Sequence, residues 1–174
     1  MLQRYLNPQM EDIWGEETTY QDWLQMELAL LEVRMENGDI TKVCYNFIRR
    51  HAGFTVQEIH EREKVTRHDL VAFVQTLQAH VKIAGLRSGR SQAQMERWAG
   101  EIHKGITSYD IEDPATMLRL RATCRLIRGR VDELRLALLA RATLVGSSPD
   151  SSIGLSPTIA SRAVLAVNAF AMPS

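Results

Sequence analysis

The sequence has no run of about 18 consecutive apolar residues, so no transmembrane helix is expected. Its opening, MLQRYLNPQMEDIW, has no basic patch followed by an apolar stretch, and is not expected to act as a secretory signal. It also has no excess of either charge. With 21 Lys and Arg against 21 Asp and Glu, no global field draws DNA or an anionic membrane. A local basic pocket for one small anion remains open. Cysteine is scarce: Cys44 and Cys124 lie far apart, without CxxC or Cys/His spacing. They suit buried thiols in a reducing cytosol better than a disulfide framework or a zinc site. Strict apolar/polar alternation is missing throughout, which argues against strands.

What is present is helical periodicity. The 174 residues, 45% hydrophobic and 24% charged, fit one ordinary domain, or one domain with an appendage. From Glu16 to Asn37 the apolar residues Tyr20, Trp23, Leu24, Leu28, Leu31 and Met35 recur at three and four, with Asn37-Gly38 as the stop. Thr41 caps a second helix that is stopped by Gly53, and Thr55 with Glu58 forms a capping box for a third. A fourth helix runs from His68 to Ile83, followed by a flexible break at Gly85 to Arg90 and an amphipathic stretch from Ser91 to His103.

A long helix is expected to begin near Asp113-Pro114, a cap followed by proline at the first helical position. Met117, Leu120, Cys124, Ile127, Val131, Leu134 and Leu138 then hold an unbroken alternation of three and four, a heptad seam. Leu118, Leu126, Leu136 and Leu139 widen it. Running to about Val145, this helix would be about 45 Å long and would need partners to cover it. Beyond it, GSSPDSSIGLSPTIAS reads as a flexible tail. The domain reading is thus 1–112 for the helical domain, 113–145 for the long helix, and 146–174 for the tail.

Three clusters combine residues suited to holding a polyanion and moving a proton: Arg4-Tyr5, Thr66-Arg67-His68-Asp69, and His103-Lys104-Gly105-Ile106-Thr107-Ser108. Gly105 permits close approach or a positive φ. Thr107 and Ser108 offer hydroxyls where a helix begins, and the free N–H groups and dipole there favour an anion. Ordinary helix capping by Ser108 or Asp113 is the alternative. Arg67 offers a forked donor, His68 can titrate near neutral pH, and Asp69 can fix its tautomer or cap the next helix. His51, His60 and His80 read as solvated or satisfied side chains.

In this order, RYLNPQM, TRHDLVAF and HKGITSYDIEDPA resemble the adenylosuccinate lyases of the fumarase/aspartase superfamily, from Leu2 to about Ala142. TRHDLVAF is the more specific of these motifs; HKGITSYD is of a type shared across the superfamily. The connection Gly85 to Gly100 looks longer than in compact members. The resemblance implies an all-α fold: the N-terminal helical domain of that superfamily leading into one long bundle helix. It implies β-elimination of fumarate from adenylosuccinate or the succinylated imidazole carboxamide ribotide, in purine synthesis in the cytoplasm, with no metal or organic cofactor.

Carried over by motif, Arg4 and Tyr5 would hold the nucleotide, and Arg67, His68 and Asp69 would line the substrate site. Thr107 and Ser108 would bind the succinyl portion, and His103 would orient the substrate. His68 and His103 are the candidates for supporting catalytic roles. The family's general-acid histidine segment and serine loop have no counterpart here, so a truncated chain, inactive alone, is expected. Its partners would be a purine nucleotide and further copies or a lyase subunit, in a tetramer, through the 117–138 seam; nucleic acid and membrane are not expected. Two alternatives stand beside this reading: a non-catalytic helical association module, and a related lyase or cycloisomerase with another substrate.

Overall fold

In a computed structural model of the chain, which describes residues 7–146, every regular element is a helix. Among the described residues these are α1 (Pro8–Trp14), α2 (Glu16–Glu36), α3 (Lys42–His51), α4 (Val56–Thr66), α5 (Asp69–Arg87), α6 (Gln92–Ala99) and α7 (Tyr109–Gly146). The all-α expectation holds. Arg4 and Tyr5, and the tail past Gly146, lie outside the described residues.

Short polar side chains start most of these helices. Asn7 Oδ1 accepts the Met10 N–H at 3.2 Å, with Pro8 at the first helical position, so a helix begins where periodicity alone gave none. Thr41 Oγ1 accepts from Cys44 N–H at 3.2 Å, and Ser91 Oγ from Gln94 N–H at 3.3 Å. The expected capping box is present: Glu58 N–H donates to Thr55 Oγ1 at 3.2 Å, and Thr55 N–H to Glu58 Oε2 at 2.9 Å. Each such cap contributes about 1 kcal/mol.

Three boundaries differ from the sequence reading. First, α5 runs through Gly85 to Arg87, and the break comes at Gly89, where φ is +77°. Gly85 is a packing site: a Cβ there would lie 1.7 Å from the Met95 sulfur of α6, so its lack of a side chain lets two helices touch. Second, the stretch from Ser91 is helical only to Ala99, and a turn occupies residues 100–105. Third, α7 starts at Tyr109 rather than at Asp113-Pro114. The Ser108 carbonyl already accepts from the N–H groups of Ile111 and Glu112, both at 3.0 Å, so Pro114 falls inside the helix.

The chain divides into two compact units between Arg121 and Ala122. In the first, α5 is the core element, packed against α3, α4 and α6. Its Leu70, Phe73, Leu77 and Val81 are buried together with Tyr20, Trp23 and Leu31 of α2, Ile48 of α3, Ile59 of α4 and Met95 of α6. Trp23 meets Phe73 edge-on at 5.5 Å, and Tyr20 stacks on Phe73 at 5.9 Å, joining α2 to α5. The N-terminal turns of α7 are held by buried Ile111 and Ala115, and by buried Arg119. The Arg119 guanidinium donates to the hydroxyls of Thr19 and Thr116 and lies over the Trp14 ring at 5.4 Å.

Along α7 the residues of the expected seam are exposed: Met117 and Leu120 in the first unit, and Cys124, Ile127, Val131, Leu134 and Leu138 in the second. No described helix is long and apolar enough to cross a membrane.

Candidate functional site

The sequence-predicted residues that are described fall at two junctions, one before α5 and one before α7. At the first, α4 ends at Thr66 and Arg67 takes a left-handed conformation (φ +56°), its N–H bonded to the Glu63 carbonyl at 2.8 Å. A left-handed residue with a Cβ costs roughly 1–2 kcal/mol. Thr66 offsets part of this by pinning the next residue: its hydroxyl donates to the His68 carbonyl at 3.0 Å and accepts the His68 N–H at 3.4 Å. The reversal leaves Arg67, His68 and Asp69 adjacent and exposed. His68 Nδ1 sits 3.2 Å from Asp69 Oδ1, which also accepts the Leu70 N–H at 2.7 Å. Asp69 therefore faces the imidazole and satisfies the N–H of the next residue, while the N-cap position itself is held by His68 without a side-chain cap bond.

The second junction is more tightly tied. His103 is left-handed (φ +63°), and Gly105, two residues on, has φ +83°. Both the N–H and the ring of His103 go to one carboxylate: N–H to Glu27 Oε2 at 2.9 Å, and Nδ1 to Oε1 at 2.7 Å. Glu27 is fully buried, whereas the His103 side chain keeps 21% of its surface exposed. Burial pushes the Glu27 carboxyl above its ordinary range, and the His103 ring and backbone bonds pull against that rise.

The same turn is held at its start by Arg34 of α2, which bonds the Glu101 carbonyl at 3.0 Å and its carboxylate at 2.5 Å. Burial raises the Glu101 pKa, but Lys104 and Arg34 outweigh it and leave it below the ordinary value. Thr107 and Ser108 form the entry to α7, as expected. The Thr107 N–H is already taken, however, by Asp110 Oδ2 at 2.8 Å, so capping by the chain's own carboxylate occupies one donor expected to meet an anion.

The two junctions approach each other at Glu112, one turn into α7. Burial pushes its carboxyl up, Asp69 adds to the rise, His68 opposes it, and Asp113 adds a little more. The heads of α5 and α7 are therefore within electrostatic reach of one another. Both polar partners of His103 among the described residues are the oxygens of Glu27. The other histidines are satisfied as expected: His80 pairs with Glu58 at 3.0 Å, His60 with Glu16 at 3.2 Å, and His51 lies against the Phe47 ring at 4.4 Å.

Two concavities mark the described surface, the first of them bordering the junction before α5 at Thr66. One, between α4 and α5, is lined by Thr55, Glu58, Glu61, Arg62 and Thr66 among others; the other by Val43, Phe47, Arg50, His51, Ser88 and Arg90.

Sequence reasoning missed Glu27, Arg34 and Glu112. Glu27 did carry a signal. Tyr20, Leu24, Glu27 and Leu31 share a spacing of four, three and four, which places a carboxylate on the buried stripe of α2. A charge there needs a partner, and the partner is in the HKGITSYD motif.

No protein-family model matches the chain. Curated relatives do. It is 34% identical over 121 residues to the adenylosuccinate lyase of Bacillus subtilis, covering 70% of this chain and 25% of that protein. With the adenylosuccinate lyase of Synechocystis sp. it shares 33% over 142 residues, 82% of this chain and 30% of the other. With that of Streptococcus mutans it shares 33% over 132 residues, 76% and 27%. The chain spans between a quarter and a third of the length of these relatives.

Proposed function

We propose, from the premise that this chain is an adenylosuccinate-lyase-like segment, that it is the substrate-gripping part of a C–N lyase. The reaction would be β-elimination of fumarate from a succinylated purine nucleotide or its imidazole carboxamide ribotide precursor, in the cytoplasm and without metal or organic cofactor. The observation that carries this reading is the electrostatic proximity of His68 and Asp69, at the head of α5, to Glu112 at the head of α7. Two motifs separated by more than thirty residues of chain thus come within electrostatic range of one carboxylate.

In this reading Arg67 meets an anionic group of the substrate, and His68, oriented by Asp69, exchanges a proton or hydrogen bond with it. Ser108 and Thr107 receive a carboxylate of the succinyl portion at the start of α7, and Arg4 and Tyr5 hold the nucleotide. Elimination builds negative charge on that carboxylate, so donors aimed at it stabilise the transition state more than the ground state. The Asp110 carboxylate on the Thr107 N–H is then a placeholder that a bound carboxylate displaces or joins through the Ser108 hydroxyl.

The proposed active assembly is an oligomer, a tetramer by analogy with the family, in which other chains cover the 117–138 seam and complete the acid–base set. A second reading is favoured by the exposure of Met117, Leu120, Ile127, Val131, Leu134 and Leu138: a non-catalytic helical module that associates through that seam.

Melting and sizing the purified chain with and without AMP plus fumarate tests both. A rise in melting temperature with the ligand pair, lost in Arg67→Ala and Ser108→Ala, supports the lyase reading. Self-association without any ligand response supports the module. Turnover of adenylosuccinate by this chain alone at ordinary enzymatic rates overturns the claim that it needs partners.

A further inference from the structure

We infer that Glu27 is a positioning residue for the site: it fixes His103 as the Nδ1–H tautomer, so that Nε2 is offered outward as a proton acceptor. The inference rests on the proposed function only for what His103 then meets; the tautomer itself stands on the two contacts to Glu27 and on that carboxylate being ionised.

An ionised carboxylate has lone pairs and no proton to give, so each group it meets must donate. Glu27 meets two groups of one residue, the His103 N–H at 2.9 Å and ring Nδ1 at 2.7 Å. The backbone N–H is a donor in any case. Nδ1 must therefore carry a proton whenever Glu27 is charged, and in the neutral ring Nε2 is left with its lone pair free. Glu27 is 0% exposed, so water cannot substitute for either bond. A buried carboxylate that lost its partner would be left unpaired at a cost well above that of an ordinary hydrogen bond. The ring is thereby held in both position and tautomer.

The backbone is held as well. His103 occupies a left-handed conformation that side chains with a Cβ avoid, and the Glu27 Oε2 bond to its N–H is what rewards that geometry. Arg34, two turns further along α2, fixes the Glu101 end of the same turn. Because Nε2 lies across the ring from Nδ1, it is directed away from the buried carboxylate, on a side chain that keeps 21% of its surface exposed. The group it suits is a donor: an N–H or hydroxyl of the ligand, or a proton released in the reaction. Carboxylates also orient histidines from behind in metal sites and catalytic triads, where their removal changes function without removing the imidazole.

The test is the nitrogen-15 spectrum of the imidazole rings in the full chain, recorded at alkaline pH with neutral rings, with His103→Gln identifying its resonances. The wild type is expected to show a protonated Nδ1 and an unprotonated Nε2. In Glu27→Gln the amide oxygen can still accept the His103 N–H, but its NH2 faces Nδ1, so the proton moves and the two ring resonances exchange places. Glu27→Asp keeps a carboxylate and is expected to keep the wild-type tautomer. A wild type with its proton on Nε2 overturns the inference, as does a folded Glu27→Gln whose ring signals match the wild type. If Glu27→Gln does not fold, the wild-type spectrum and Glu27→Asp decide alone. Where AMP plus fumarate binds, Glu27→Gln is expected to weaken it about tenfold, the equivalent of one hydrogen bond of about 1.4 kcal/mol. A correct tautomer with no ligand response would sink the proposed function and leave this inference intact.

Discussion

The carboxylate of Glu27, wholly buried in α2, accepts from both the backbone and the ring of His103, which lies 76 residues further along the chain. Replacing His103 by leucine removes the ring donor and leaves a buried charge with one bond. The expected loss is about 3 kcal/mol, the lower end for a broken buried pair, because the edge of His103 meets solvent. Urea unfolding measures it. A loss under about 1 kcal/mol would mean that Glu27 is hydrated or protonated in the folded chain. Pairing Glu27→Leu with His103→Leu should restore part of the loss, since no charge remains to be stranded.

Glu58 binds both the start of α4 and His80 of α5. The hydrogen bond from His80 holds its carboxyl below the ordinary range, against a smaller opposing effect of burial and with help from Thr55. A depressed carboxylate adds stability that is present above its unfolded-state pKa and lost as pH falls through its folded value. Wild type and Glu58→Gln should therefore differ in melting temperature at neutral pH and converge in acid, below the normal carboxylate range. A difference that grows on acidification would contradict the sign.

Gly85 and Met95 form the contact between α5 and α6. Gly85→Ala gains about 1 kcal/mol of helix propensity, yet must displace a fully buried side chain, which typically costs about 1–3 kcal/mol. A net destabilisation is expected. Added to Met95→Ala, the same change should be neutral or favourable, because the clash has gone and the new methyl fills part of the cavity. Additive losses in the double variant would mean that the helices are not in contact there.

The two thiols should respond differently. Burial, reinforced by Glu101 and only partly opposed by Arg34, pushes the Cys44 thiol up to about 11. It is buried, whereas Cys124 is exposed on α7. At neutral pH one thiol per chain should react quickly with an aromatic disulfide reagent, and the second only on unfolding. Cys124 lies on the heptad seam, so its reaction should slow at concentrations where chains associate. Met117→Glu or Ile127→Glu should restore the fast rate and shift sedimentation towards the monomer. Unchanged Cys124 reactivity across an association transition would place the interface elsewhere.

Much of the fold could be read from the sequence because its helices begin with polar side chains at fixed offsets. Thr41, Thr55 and Ser91 each cap where a hydroxyl precedes an apolar period. The errors share a cause. Gly85 and Pro114 were read as punctuation, yet a glycine can serve a helix contact, and a proline past the first turn is tolerated once Ser108 has begun the helix. At the site, local order was legible: Asp69 faces His68, and Thr107 and Ser108 open α7. What was not legible was tertiary. The motif names His103, but nothing within it says that a residue on the apolar face of a distant helix is its hydrogen-bond partner.

Arg34 and Glu27 sit seven residues apart on α2, on one side of the helix, and between them they grasp residues 101 and 103. The turn is thus moored to a single rod at two points. The His103 amide should exchange with solvent at the slow pace of α2 itself, not at the pace of a surface loop. Inherited damage to the imidazole's placement should then arise from changes deep inside α2, at residues that no ligand touches.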